Sequence, residues 1–243
     1  MSAPKRTMYR ASVLLLLCVA AAPVPAQWTG KAELGMALSS GNTDTKSGNA
    51  KLAATWKEGA WETTGRAAGL YVQDDGMTTG QRFEVGVDTR RNFGSHTYWY
   101  GGARYEDDRF SGFEYQALVS TGVGRKFIDR DDTHLSAQIG VGYKTFETTG
   151  VPPLLDDKNS SIAGAAGVNY DHQFNASTGI YDRFTAETTS SNNFLQNEIG
   201  LQVKMTGRLL LALAYSVRHN TDPPTGFKKT DTLTTVNLAY EVK

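Results

Sequence analysis

The chain has a single cysteine, Cys18, among its 243 residues. With no second thiol there is no disulfide framework, and a thiolate zinc site cannot be built. No stretch reaches 18 consecutive apolar residues, which excludes a membrane-spanning helix of ordinary length. Neither sign of charge dominates, with 25 Lys and Arg against 25 Asp and Glu. Like charges are nowhere clustered, so nucleic acid is not an expected partner. Beyond Gln27 no segment carries a 3.6-residue apolar period, which excludes a helical bundle. Histidine is scarce at four residues, leaving little for a metal centre or a catalytic base.

What is present begins with the leader. Lys5, Arg6 and Arg10 precede an apolar run from Ala11 to Ala22, and Val24-Pro25-Ala26 offers a small-residue cleavage site. That order predicts a secretory signal peptide over 1–26 and a single exported domain over 27–243. Cys18 lies in the apolar run and would leave with it. The three basic residues leave too, so the remainder is slightly acidic.

The recurring signal after Gln27 is period two. "RFEVGVDTRRNF" places Phe83, Val85, Val87, Thr89 and Phe93 on one face, with Arg82, Glu84, Gly86, Asp88 and Arg90 on the other. The same alternation runs through "YQALVSTGVGRKF", "HLSAQIGVGYKTF", "FLQNEIGLQVKM", "RLLLALAYSVRH" and "TVNLAYEV". "ETTGRAAGLYV" and "TGIYDRFTAET" are ambiguous, because Asp182 interrupts the apolar face unless a bulge resets the register. About twelve strands of ten to fourteen residues are expected, long beside the ordinary five or six. The fold read from this is all-β: an up-and-down antiparallel transmembrane β-barrel.

The connections alternate in length. "KEGA", "FGSH", "IDRDD", "QFNA" and "KMTG" are four or five residues, whereas "GNTD", "DDGMTTG", "DDRFSG", "TTGVPPLLDDKN", "TSSNN" and "NTDPPTGFKK" fall at the other ends of the strands and include every connection longer than five. Outer-membrane barrels keep short periplasmic turns and longer outer loops. The parity therefore places both termini in the periplasm. Trp28, Trp56, Trp61, Phe93, Trp99 and Phe127 fall near one set of strand ends, with Tyr71, Tyr105, Phe113, Phe146 and Tyr215 near the other, as two interfacial girdles would. Glycines in "GVGRK", "GVGYK", "YGGAR" and "AGAAG" fall on inward positions, where a sheared sheet comes close to itself.

"SSGNTDTKSG" raises a separate question. Asn42 and Asp44 could supply oxygens to calcium, and a glycine-rich stretch could cradle phosphate. Full calcium-loop spacing and a following helix are both missing, so a hairpin tip at Gly41-Asn42 is the favoured reading. "SGNTDTKSGNAKLAATWKEGAWE", with the preceding "WTGKAELGMALSS", resembles the start of domain-of-unknown-function family 481, the salt-induced outer-membrane proteins. Ser40, Gly41, Asn42, Thr43, Asp44 and Thr45 form the family-marker hairpin, and the likeness extends from about Trp28 to Lys243. It implies an outer-membrane barrel of Gram-negative bacteria, responsive to salt or envelope conditions, with no established activity. Its partners would be outer-membrane lipid, lipopolysaccharide and the barrel-insertion machinery. The chain departs from such barrels in ending "AYEVK", with Tyr240 short of the terminus.

Catalysis is not expected. His96, His134 and His172 map to the periplasmic ends; His219 lies at the outer end, three residues from Ser216 and on the opposite face of an extended strand. Neither a metal nor a cofactor is expected. The inner face carries the candidate lumen residues Lys31, Glu33, Arg66, Arg82, Glu84, Asp88, Arg90, Arg104, Glu106, Glu114, Lys126, Lys144, Glu198, Arg208 and Arg218, with Arg183, Lys204, Asp171, Glu62, Glu187 and Glu241 beside them. Such charges must either pair across the lumen or face water. Eight strands can be filled by side chains and sixteen leave a channel; twelve lies between. Two functions stay open: a narrow, weakly selective channel for small solutes or ions linked to osmotic or salt stress, or a sealed structural or surface-interaction barrel without transport. Lipid hydrolysis is the reading the residues carry least.

Overall fold

The structure, a computed structural model, describes residues 27–39, 45–108, 110–148 and 158–242. The leader over 1–26 and the marker residues Ser40 to Asp44 lie outside them. Twelve strands follow one another: β1 (Trp28–Ser39), β2 (Thr45–Glu58), β3 (Trp61–Asp74), β4 (Met77–Phe93), β5 (Thr97–Asp108), β6 (Phe113–Asp129), β7 (Thr133–Thr148), β8 (Lys158–Gln173), β9 (Thr178–Thr188), β10 (Asn193–Lys204), β11 (Leu209–Asn220) and β12 (Thr230–Val242). Each is antiparallel to its neighbours in sequence, and β1 pairs with β12 to close the barrel. Closure removes the free edges that an open sheet would leave.

Period two sorts the side chains into two walls. Leu34, Leu52, Val85, Val87, Val119, Ile139, Val141, Leu211, Leu213, Val236 and Leu238 stand exposed on the outside. Their alternate neighbours, including Glu33, Arg104, Glu106, Lys144 and Arg218, point into the lumen. An outer wall this apolar is stable only against hydrocarbon or another protein. At the end of the barrel that carries the termini, Trp61 and Trp99 meet edge to face at 6.2 Å, and Arg91 lies over Trp61. At the opposite end, the loop end, Tyr105 stacks on Tyr115 at 6.0 Å. Phe113 and Phe146, expected in that girdle, are instead buried inside and pack on each other at 5.6 Å.

Three local readings are corrected and one left open is resolved. "DDGMTTG" is not a long loop: Asp75 and Gly76 alone make the turn, with φ of 45° and 80°, and pairing resumes at Asp74↔Met77. Both turn residues at positive φ fit a tight hairpin, and Asp-Gly is a favoured pair for it. A bulge between Val72 and Gln73 accommodates the odd residue. Glu114 is not luminal, because a register shift between Phe113 and Tyr115 turns Phe113 inward and leaves Glu114 exposed. Arg208 belongs to the turn before β11, exposed, and donates to the Tyr240 hydroxyl at 3.2 Å. Asp182 is reset by no bulge: it faces outward from a regular β9 and accepts a hydrogen bond from Asn197 at 2.6 Å.

Candidate functional site

Toward the loop end the lumen is packed on the side of β5, β7, β9, β10 and β11. Phe194 on β10 is buried at the centre, and three cations face its ring: Arg218 at 5.0 Å, with Arg104 and Lys144 each at 5.3 Å. Two carboxylates bind those cations from opposite walls. Glu187 of β9 accepts from Arg104 at 2.5 Å and from Lys144 at 2.7 Å. Glu106 of β5 accepts from Arg218 at 2.5 Å and from Arg104 at 3.0 Å. Asp108 joins through Arg218 at 3.2 Å. Glu106 and Glu187 are 0% and 1% exposed, so no water shares these bonds from the surface. Four strands, β5, β7, β9 and β11, are thereby tied across the axis. Ions this deeply desolvated need close partners, and each carboxylate here holds two cations.

Above the cluster the mouth is covered. The connection 221–229 folds back over the lumen until Phe227 and Pro224 pack on Gly112, between β5 and β6. Its root is held by Asn192, whose side chain donates to Asn220 at 2.8 Å and accepts from the Asp222 amide at 3.0 Å.

Toward the termini end the lumen is wider. A cavity of about 450 Å³ lies there, bounded by Lys31, Glu33, Lys51, Arg66, Asp88 and Arg90 on β1 to β4 and by Arg183 and Glu198 opposite. Lys51 reaches across to Glu198 at 2.8 Å, and the Tyr181 hydroxyl donates to the same carboxylate at 2.9 Å. Lys31 pairs with Glu33 at 2.8 Å. Arg66 pairs with Asp88, and Arg183 with Asp171. Side-chain exposures of 53% for Arg66 and 38% for Arg183 mark this end as open to solvent. Arg90 lies over the Tyr98 ring at 5.0 Å, and Tyr98 donates to Gln138 at 3.3 Å. The rings of Tyr98 and Tyr100 fit because β6 and β7 present Gly124, Gly122 and Gly140 beneath them, where any β-carbon would strike ring or backbone.

Of the candidate residues read from sequence, Lys31, Glu33, Arg66, Arg82, Glu84, Asp88, Arg90, Arg104 and Glu198 line the cavity, while Glu106, Lys144 and Arg218 form the packed cluster. Arg82 stands 3.9 Å from Asp108, at the junction of the two regions. Lys126 pairs with Asp129 at 3.2 Å on the termini-end rim, away from both. Lys51, Asp108 and Phe194 were not anticipated. Phe194 shares the inward alternation of Gln196 and Glu198, and Lys51 that of Asn49 and Ala53, so strict period two would have found both. Asp108 was hidden by its assignment to a loop. Ser216 is buried inward while His219 bonds Thr230 at 2.8 Å, so the two do not meet. Among the described residues no group of three His, Cys, Asp or Glu has metal-binding geometry.

The chain is 26% identical over 220 residues to the uncharacterized protein YdiY of Escherichia coli (strain K12), covering 88% of this chain and 82% of that one. Among solved structures it is similar to the translocator domain of the autotransporter NalP from Neisseria meningitidis, with TM-score 0.49, 12% identity and coverage of 89% and 87%. The NanC porin is similar at TM-score 0.49 and 11% identity, with coverage of 88% and 97%. The family model described as "Protein of unknown function, DUF481" matches residues 32–242, and the chain is a member of that family.

Proposed function

We propose that the protein is an outer-membrane barrel closed toward the outside, with a charged cavity open to the periplasm, and that it does not conduct at rest. Support for the membrane comes from the continuous apolar outer wall and the aromatic rings at both ends. The connections 149–157 and 221–229 are the longest and share one end, which supports loops outside and termini in the periplasm. The observation that carries closure is the cation cluster around Phe194, bound from both walls by Glu106 and Glu187. Lipid, lipopolysaccharide and the insertion machinery are the partners such a barrel would meet. The link to salt or osmotic stress rests on family likeness alone. The placement of Ser216 and His219 on opposite faces supports a role without catalysis.

Planar bilayers test this reading. The wild type is expected to give no reproducible steps, whereas Phe194→Ala combined with Phe227→Ala, shown folded by heat-modifiable gel mobility, should conduct. Wild-type steps of constant size that vanish on denaturation would overturn the closed state. They would favour the narrow channel instead, for which the 450 Å³ cavity is the supporting observation.

A further inference from the structure

The closing seam differs from the others. β1 and β12 share six rungs, from Gly30↔Val242 to Gly35↔Asn237. Yet β1 is bonded to β2 along its whole length to Ser39, and β12 to β11 down to Thr230. Continuing the register would pair Met36 with Val236 and Ser39 with Leu233. Among the described residues only this seam has both strands running on past their last rung without joining. The split lies in the half of the barrel nearer the loop end.

Three further observations converge on it. Leu233 and Thr235, on the inner side of the split, also line the cavity, so the cavity reaches the seam. On the outside the posts are apolar: Leu34 and Met36 from β1, Val236 and Leu238 from β12, all exposed. At the last rung the side chains of Asn49 and Asn237 crowd over Gly35, where a β-carbon could not fit. Asn237 is 1% exposed and donates to Glu33 at 3.2 Å, but its Oδ1 and that of Asn49 are buried without a hydrogen-bond partner. Unpaired strand edges and orphaned acceptors are costly beside hydrocarbon, and a structure keeps them where water or a ligand reaches.

We infer that this split is a lateral portal joining the cavity to the outer leaflet, and that it takes a single-chain anionic amphiphile. The apolar posts suit an acyl chain lying in the membrane. Lys31 on β1 and Lys51 on β2, both on the cavity side, suit a carboxylate head that competes for them with Glu33 and Glu198. With the axial mouth closed as proposed above, the seam is the path by which the cavity communicates with the outside.

Hydrogen exchange in lipid nanodiscs reads the seam in the wild type. Peptides covering Met36–Ser39 and Leu233–Val236 should exchange on the order of tenfold faster than those covering Ala32–Leu34 and Leu238–Tyr240, and added palmitate should slow them. Equal, slow exchange along the whole seam would overturn the portal. A disulfide in Met36→Cys/Val236→Cys should abolish palmitate binding, restored on reduction, whereas one in Leu34→Cys/Leu238→Cys, inside the zipped segment, should leave it intact. Palmitate binding that survives the first disulfide would overturn the assignment. Should that variant not fold, the wild-type exchange result alone decides. Neither readout depends on bilayer conductance, so failure of the portal and failure of the closed mouth are told apart.

Discussion

Replacing Glu187 by alanine is expected to destabilise the barrel by about 3 to 5 kcal/mol, measured by urea unfolding of the protein in lipid vesicles. Glu187 holds both Lys144 and Arg104, and Lys144 is almost wholly buried beside it. Removing the carboxylate leaves Lys144 with no other ion pair among the described residues, in a place water does not reach. The loss is therefore mainly the cost of an uncompensated buried charge. Glu62→Ala is the matched control: its pair with Lys57 lies at the exposed rim, and its removal should change stability by less than about 1 kcal/mol. The double variant Lys144→Met/Glu187→Leu should recover much of the loss, because apolar side chains of similar volume need no partner and Arg104 keeps Glu106. Equal effects from Glu187→Ala and Glu62→Ala would mean that the cluster is hydrated and does not close the lumen.

The second large effect is steric. Gly122→Ala is expected to destabilise by about 1 to 3 kcal/mol or more, seen as loss of the heat-modifiable form, while Gly65→Ala is expected to be neutral or slightly stabilising. Gly122 and Gly140 sit opposite each other on β6 and β7. A β-carbon on Gly122 would collide with the Ile139 carbonyl and the Gly140 Cα, and would meet the Tyr100 ring at 2.8 Å. Two of those obstacles are backbone and cannot rotate away. At Gly65 nothing lies within 4 Å. If both substitutions were tolerated alike, the close approach of β6 and β7 beneath Tyr100 would not exist.

Strand number, wall assignment and the end that holds the two longest connections were legible because a closed antiparallel barrel writes them locally. Val85 and Glu84 must face opposite ways whatever the rest of the chain does. Legibility failed where one residue was added or a turn was tightened. The bulge beside Phe113 inverted Glu114, and the positive φ of Asp75 converted an apparent loop into strand. Asp-Gly was the available signal for the second; the first left none. The ion pairs were beyond reach in another sense. Alternation put Arg104, Lys144 and Glu187 inside, but their meeting around Phe194 depends on the shear between strands far apart in sequence. A charged face fits an open pore and a closed one equally well.

The order of the strands carries a last consequence. Eleven of the twelve seams join neighbours in the chain, and only the β1–β12 seam brings together residues from opposite ends. Gly30 sits opposite Val242, so the ends of the barrel domain are adjacent. A circular permutant that links them through a short flexible segment and opens a new terminus within 221–229 should fold to the same barrel. In it, β12 and β1 would become a covalent hairpin, and the last step of assembly would move to the long β11–β12 seam. Closure would then be harder to undo, and the six-rung seam would be kept together by its own tether.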